Sequence, residues 1–548
     1  MSLSSTPPDE PVFVQRGPAP RTDEPVLHLA AHRGVFFTAT TALYASSILL
    51  VILAANPYFA QTWDVSTFIQ AGHRFLDGGN PFDLYAQTRS AQTWPYAYPP
   101  LHALVVALAL FAGNVLHFLP EFVWARVPAL VADIGIGIFL YIVVERKTTS
   151  PLLAQMALVL WLFNPITLYD TAIQGHFESE WLIFVLLAYV RFENSEGRGL
   201  VLTSIALATA VLFKQTAILF AVPLWILIVA GPVPAWPLTR RLRHLVLSGL
   251  VFGIVVGVIC LPYLLFSSDF LYMNLTYVEN IPVQTQSWIV ALLGLTRSSD
   301  NALTSDFFLL RYQMLVTLLA VAGMAFWAAR RGWNLYLIGS LVAILFFLTS
   351  KKVMGYYYVM LFPFLLIECL PRRRFDLLLV AFTATAWISL SPYYAGWASP
   401  EHWWIYAVLG ALNSLLFVWM FVQLVRRPGK EDIPANPRLT LFTTLGLFAA
   451  AVLAVLMQPL VQSSGSPIKA PIIMPGMEGS AGLAFVLVAI LLTPILALIV
   501  SGTREMEGKT GMAAWGVVWL FVPLFFAVYT LTKESTAILE IALKTLGG

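Results

Sequence analysis

VLTSIALATAVLFKQTAILFAVPLWILIV, residues 201–229, is an almost unbroken apolar run with a single charge, Lys214, near its middle. At about 1.5 Å per helical residue the run is too long for one crossing of a ~30 Å hydrocarbon layer and too short for two standard crossings with a loop. Two short helices meeting at Lys214 resolve the mismatch. A lysine at mid-span would cost roughly 2.5–3.5 kcal/mol on insertion scales, whereas at the outer apex of a short pair it can meet a lipid phosphate. Snorkelling toward the outer interface accounts for it equally well.

The rest of the chain has the same character. Of 548 residues 59% are hydrophobic and 11% charged, with a mean hydropathy of +0.77, against about 45–50% and about 25% in soluble domains. That composition excludes a water-soluble enzyme and predicts an all-α polytopic membrane protein. An outer-membrane barrel would alternate apolar and polar residues, which Val251 to Leu265 and Leu483 to Val500 do not do. A net charge of +3 points to no nucleic-acid partner. Cys260 and Cys369 lie inside apolar runs and imply no disulfide framework. Residues 1–33 contain six prolines and no apolar segment, so they read as a disordered cytoplasmic tail.

Basic clusters at Arg16/Arg21/Arg33, Arg146/Lys147, Arg191/Arg198, Arg240/Arg241/Arg243, Arg330/Arg331, Arg372/Arg373/Arg374, Arg426/Arg427/Lys430 and Arg504/Lys509 belong in the cytoplasm by the positive-inside rule. After Arg146 two apolar runs separate each cluster from the next, so each pair returns the chain to the same side. Three runs lie between Arg33 and Arg146, and this predicts that Leu101 to Leu119 lies along or dips into the outer face. The sum is about 15 crossings in three modules: 34–266, 267–427 and a C-terminal extension, 428–548. The first outer loop, 56–100, holds an amphipathic stretch, Val65 to Leu76, suited to an interfacial helix. A second, 267–306, carries a short apolar piece, Ser287 to Leu295.

The charged residues left on the outer side are the candidates for chemistry. Asp64, just past the first span, is either the cap of the amphipathic helix or a general base at the bilayer edge. Lys351 and Lys352 stand at the outer end of a span against the positive-inside trend, which suggests an anion held there. Arg126 lies on the same side, and His176 can bind a phosphate or a sugar hydroxyl. Trp63, Tyr98 and Tyr356 are aromatic residues suited either to lining a sugar site or to the interface. Glu178 and Glu180 can bind a cation, and Glu178 can equally cap the helix that carries Trp181, while His73, His102 and His402 read as outer-face polar residues. Asp133, two turns inside a span, reads as a structural hydrogen-bonding group. No HxxxH or Cys pair suggests a metal.

The order of the motifs adds a resemblance. An Asp after the first span, DGGNPFDLY from Asp77 to Tyr85 and YAYPPL from Tyr96 to Leu101 resemble the first outer loop of the GT-C glycosyltransferases, most closely the bacterial polyprenyl-phosphate mannosyltransferase branch. Asn164-Pro165 followed by IQGHFES, Ile173 to Ser179, is similar to the NP...GQxD element of that superfamily, with His176 where Gln is usual and Glu178 where Asp is usual. FKQ at Phe213 to Gln215 and SKKVMGYYYVMLFP at Ser350 to Pro363 resemble two later elements; from Pro371 onward nothing matches. The resemblance implies an inverting glycosyltransferase on the periplasmic or exterior face of the cytoplasmic membrane. It would move a mannose-like hexose or a pentose from a polyprenyl-phosphate donor to a lipid-linked or glycan acceptor, without a cofactor. Asp64 would be the base, with Lys214, Lys351, Lys352, Arg126 and His176 at the donor phosphate and Trp63, Tyr98, Glu178 and Tyr356 at the sugar or acceptor. A secondary transporter of a small anionic or sugar-like solute, and a glycan ligase or polymerase, are the rival readings.

Overall fold

The structure, a computed structural model, describes residues 34, 37–46, 48, 49 and 52, and all of 63–426 except 79, 86–94, 195–198, 232–235, 278–282, 284, 297–306 and 391–402. The tail 1–33 and the extension 428–548 therefore lie outside the described residues. Residues up to Tyr44 form a unit of their own, helical over 37–44, in which Thr41 Oγ1 donates to the Phe37 carbonyl at 2.9 Å.

The described remainder is all-helical. Its elements are α1 (Trp63–Leu76), α2 (Pro100–Leu116), α3 (Val127–Thr148), α4 (Pro151–Leu162), α5 (Glu178–Asn194), α6 (Leu200–Phe213) and α7 (Ile218–Ala230). They continue with α8 (Leu238–Phe266), α9 (Trp288–Thr296), α10 (Gln313–Arg331), α11 (Leu335–Thr349), α12 (Phe362–Cys369), α13 (Phe375–Leu390) and α14 (Trp403–Val425). Among the described residues four stretches are long and apolar enough to cross a membrane: Glu121–Thr148, Leu238–Phe266, Gln313–Arg331 and Ala407–Val425. Shorter apolar helices, α6, α7 and α11 among them, stand between these. A short helix reduces the depth of the apolar layer around its end, and the ends of α6, α7 and α11 contribute to the candidate site.

Local chemistry fixes where the elements start. Asn80 accepts the Phe82 N–H at 3.1 Å, which closes the GNPF turn. In YAYPPL the Tyr96 hydroxyl donates to the Pro99 carbonyl at 2.9 Å and accepts the Ala103 N–H at 3.0 Å. One of the orphan amides in the first turn of α2 is satisfied in this way. Proline at the first helical position suits that turn, where its missing N–H costs nothing.

The amphipathic α1 buries Val65, Phe68 and Ala71 in a cluster with Ala103, Val106 and Leu110 of α2. Its apolar face thus meets protein, where the sequence suggested a lipid interface. The close approach depends on Gly72, because a Cβ there would stand 3.0 Å from Leu110 Cδ1 and 3.2 Å from the Ala107 nitrogen. The short apolar piece of the second outer loop, α9, likewise packs inward on α14. There the Asn413 side-chain amide donates to the Gln286 carbonyl at 2.9 Å, and the Tyr358 hydroxyl to Gln286 Oε1 at 2.7 Å.

Two polar ends result. At one, Lys147 lies 3.8 Å from Glu193 and 4.5 Å from the centre of the Tyr336 ring. Beside it Glu368 accepts from Asn334 at 2.9 Å and pairs with Arg372. These groups come from four of the loops that charge counting assigns to the cytoplasm. Helix α5 leads from this end to the other, about 22 Å from Glu193 to Glu178 at ~1.5 Å per residue.

Candidate functional site

The second polar end is assembled from the start of α5, the break between α6 and α7, the link after α11, the first turn of α1 and the YAYPP turn. Its centre is Glu178, fully buried in the first turn of α5. One carboxylate oxygen pairs with Lys214 and lies 3.2 Å from His176 Nδ1. The other accepts the Trp181 indole N–H at 2.6 Å. Lys214 stands where α6 stops, in extended conformation (φ −150°, ψ 129°), and a 3-10 turn then leads into α7. The helix break therefore falls at the lysine, as the length of the run requires. Gln215 ties this break to the first outer loop, donating to the Ala97 carbonyl at 3.1 Å and to Asn274 Oδ1 at 2.9 Å.

The Lys214 ammonium sits 4.0 Å from the centre of the Tyr357 ring, with Tyr98, Phe177 and Tyr356 at 5.5–5.9 Å. Aromatic faces stabilise a desolvated cation. It is 2% exposed, and an ammonium removed from water needs a counter-charge. Glu178 is that counter-charge, so Lys214 is paired within the protein. Desolvation still holds its pKa below the usual lysine range, with Glu178 opposing the shift.

Beside this pair four rings form a column. His102 stacks on Phe177 at 3.7 Å, Phe177 on His176 at 4.9 Å, and His176 on Tyr356 at 4.1 Å. Phe68 of α1 meets three of them edge-on, His102 at 4.6 Å, Phe177 at 5.3 Å and His176 at 5.8 Å. Asp64 is four residues before Phe68 and so on the same face of α1. It lies in the first turn of α1, which begins at Trp63, so it is not the residue ahead of the helix. Its carboxylate acts electrostatically on Lys214, Lys352, His176, Tyr98, Tyr356 and Tyr357.

Gly175 lets α1 sit this close. It has φ +61°, and a Cβ would lie 2.4 Å from Val65 Cγ2 and 2.8 Å from Arg126 Nε. Arg126 is thus buried against the glycine next to His176, and its guanidinium donates to the Phe122 carbonyl at 2.9 Å.

The two neighbouring lysines part company. Lys352, half-buried, is influenced by Asp64, Lys214 and Glu178, and desolvation pushes its pKa down to about 8 against the pull of Asp64. Lys351 is buried, its backbone N–H on Gln313 Oε1 of α10 at 2.9 Å. Burial, followed by the Lys214 charge, lowers His176 to about 4, so at neutral pH it offers an imidazole N–H and no charge. Tyr98 donates or accepts at His176 Nε2 across 3.4 Å, and Tyr356, Tyr357 and Tyr358 are all buried. For Trp63 the backbone alone is described.

Two further groups belong here, the pair His102–Glu180, which the sequence offers only as an outer-face histidine and a candidate cation ligand, and Asp170. His102 Nδ1 lies 3.0 Å from Glu180 Oε2, both buried, which bolts the start of α2 to the start of α5. Asp170, in the π-helical turn Tyr169–Gln174, is 1% exposed and neither of its side-chain oxygens has a hydrogen-bond partner among the described residues. One acidic residue among the apolar side chains after Pro165 was the available signal. Asp133 behaves as a structural group, accepting from Thr171 at 2.5 Å and from Ser179. Among the described residues no three His, Cys, Asp or Glu side chains come together as a metal site.

No family model matches the chain, and no curated protein does. Among solved structures it is similar to the crystal structure of ArnT from Cupriavidus metallidurans bound to undecaprenyl phosphate, at 16% identity and a TM-score of 0.45. That similarity covers 91% of this chain and 79% of the other.

Proposed function

We propose that the chain is a GT-C-type glycosyltransferase that takes a sugar from a polyprenyl-phosphate donor and passes it, with inversion, to a hydroxyl of a lipid-linked or glycan acceptor on the outer face of the cytoplasmic membrane. The observation that carries this is one carboxylate, Asp64, in the first turn of α1 and within electrostatic reach of two lysines, Lys214 and Lys352, at one end of an apolar bundle. In-line displacement at an anomeric carbon needs that pairing. The acceptor O–H gives its proton to Asp64 as its oxygen bonds to the anomeric carbon. The bond from that carbon to the phosphate oxygen breaks with its electron pair, and the polyprenyl phosphate leaves with its charge met by Lys352, supported by Lys214, the N–H of His176 and nearby Arg126. A phosphate leaving group needs cations more than a proton, so one carboxylate suffices. Glu178 serves as the fixed counter-charge of Lys214, and Tyr98 and Tyr356 wall the space.

Secondary transporters place their ionisable groups near the midplane, commonly in repeated halves. Here they gather at helix ends, which favours the transferase. The test is transfer of radiolabelled sugar from a short-chain polyprenyl-phosphate mannose by the purified full-length protein. Wild type is expected to transfer, and Asp64→Asn, with unchanged thermal stability, to lose at least a hundredfold. Equal transfer by the variant would remove Asp64 as the base.

A further inference from the structure

Asp170 is not used by this reaction scheme, yet its setting is unusual. A buried carboxyl ordinarily finds hydrogen-bond partners, and leaving one without them costs several kcal/mol. Among the described residues both Asp170 oxygens are without any. Two other buried atoms nearby in the chain share this condition, the Asn164 side-chain nitrogen and the Thr167 hydroxyl. Asn164 stands just ahead of the short helix Pro165–Leu168, Thr167 lies within it and Asp170 lies in the π-helical turn Tyr169–Gln174 that follows, so the three belong to one short stretch of chain. Helical back-bonding is not what occupies them: Asn164 uses only its oxygen, accepting the Ile166 N–H at 2.9 Å. Electrostatically Asp170 belongs to the site, for it acts on Lys214 and on Tyr357, and Glu178 and Asp133 act on it.

The chemistry of that stretch narrows what fits it. A phosphate is repelled by Asp170 and its acidic neighbours. Among the described residues no three His, Cys, Asp or Glu side chains meet there to hold a metal ion. What remains is an uncharged group rich in hydroxyls, because each hydroxyl donates and accepts in turn and so satisfies an acid, an amide nitrogen and a threonine hydroxyl together. The aromatic wall of Tyr357 beside it suits the C–H face of a sugar ring.

We propose that Asp170, with Asn164 and Thr167, is the sugar-recognition flank of the site: its carboxyl takes two adjacent ring hydroxyls of the donor sugar, while Lys352 and Lys214 take the phosphate. This rests on the transferase reading above and adds that affinity for the donor is divided between a phosphate half and a hydroxyl half.

Equilibrium binding to the full-length protein in detergent separates the two halves. The probes are a C20 polyprenyl monophosphate, the same lipid carrying mannose, and its 2-, 3- and 4-deoxy forms. Wild type is expected to bind the mannosyl lipid at least tenfold tighter than the bare phosphate. Asp170→Asn, which keeps the shape of the side chain, is expected to bind the bare phosphate within twofold of wild type and to lose most of the mannosyl gain. At least one deoxy lipid is expected to lose about tenfold on wild type and little on the variant, the signature of a direct pair in a double-mutant cycle. The proposal fails if Asp170→Asn keeps the mannosyl gain, or if it weakens both lipids equally. Should the variant not fold, the deoxy series on wild type still decides, since a series flat within twofold means that no hydroxyl is read. Wild type that binds the bare phosphate but gains nothing from the sugar overturns this inference alone. Wild type that binds neither lipid overturns the transferase reading with it.

Discussion

Glu178 determines the charge balance of the site. It sits fully buried against Lys214, His176 and Trp181, and breaking one partner of such a pair leaves an uncompensated buried charge, at about 3–5 kcal/mol. Glu178→Gln is therefore expected to lower stability by roughly that amount, measured by thermal unfolding in detergent. The double variant Glu178→Gln/Lys214→Met removes both charges and should recover most of the loss; no recovery would mean that the two side chains are not coupled. Lys352 gives the pH dependence. Its pKa in the unliganded protein is about 8, and a bound phosphate can only raise it. Affinity for a bare polyprenyl phosphate is then fully present below pH 8 and weakens as pH rises through that value, by up to tenfold per unit until the bound-state pKa is reached. Lys352→Arg, charged throughout, should carry strong binding to higher pH. A wild-type affinity flat from pH 7 to 9.5 would take Lys352 out of the phosphate site.

At the scale of elements, catalytic geometry depends on how α1 is seated. Phe68 enters the edge of the ring column, and Gly175 gives Val65 room beside Arg126. Gly175→Ala adds a Cβ at positive φ, which costs about 1 kcal/mol alone, and drives it into Val65 and Arg126. The expected result is a loss of about 2–4 kcal/mol in unfolding free energy and displacement of Asp64 from the lysines, with transfer lost even where the protein remains folded. A variant with wild-type melting and transfer would show that α1 is seated otherwise. Much at this scale was legible in the sequence. The apolar runs located the helices, and the length of residues 201–229 located the break at Lys214 without any structure, because helix rise is a fixed number. The GNPF and YPPL turns were legible because Pro and Asn act on their own neighbours. The partner of α1 was not, since an amphipathic face has the same spacing whether it meets lipid or α2. Nor were the pairs Glu178–Lys214 and His102–Glu180, which join residues far apart in the chain, nor the separation of Lys351 from Lys352, which depends on which way an extended link turns. Asp170 belongs to no motif: its sequence signal is a lone acid among apolar neighbours, and its lack of hydrogen-bond partners among the described residues is a property of the fold.

At the scale of the whole molecule, among the described residues, charges that interrupt the apolar bundle collect at two polar ends. Lys147, Glu193, Glu368 and Arg372 meet at one, Asp64, Glu178, Lys214 and Lys352 at the other, and α5 sets them about 22 Å apart at ~1.5 Å per residue. That separation is somewhat less than a ~30 Å hydrocarbon layer, so with one end at the cytoplasmic surface the second lies slightly below the outer one. A lipid-borne phosphate at the headgroup level needs that depth, with its polyprenyl tail still in the hydrocarbon. The arrangement makes sidedness measurable. In a background with Cys260→Ser and Cys369→Ser, single cysteines at Lys352 and Arg372 are treated in intact cells with a membrane-impermeant maleimide. Lys352→Cys is expected to label from outside, and to be protected by prior incubation with a short-chain polyprenyl phosphate. Arg372→Cys should label only after the cells are opened. Labelling of both from the same side would place the two polar ends in one compartment and overturn the outer-face reading. Reversed labelling would put Asp64 and its lysines in the cytoplasm, where the outer-face reaction proposed for them does not take place.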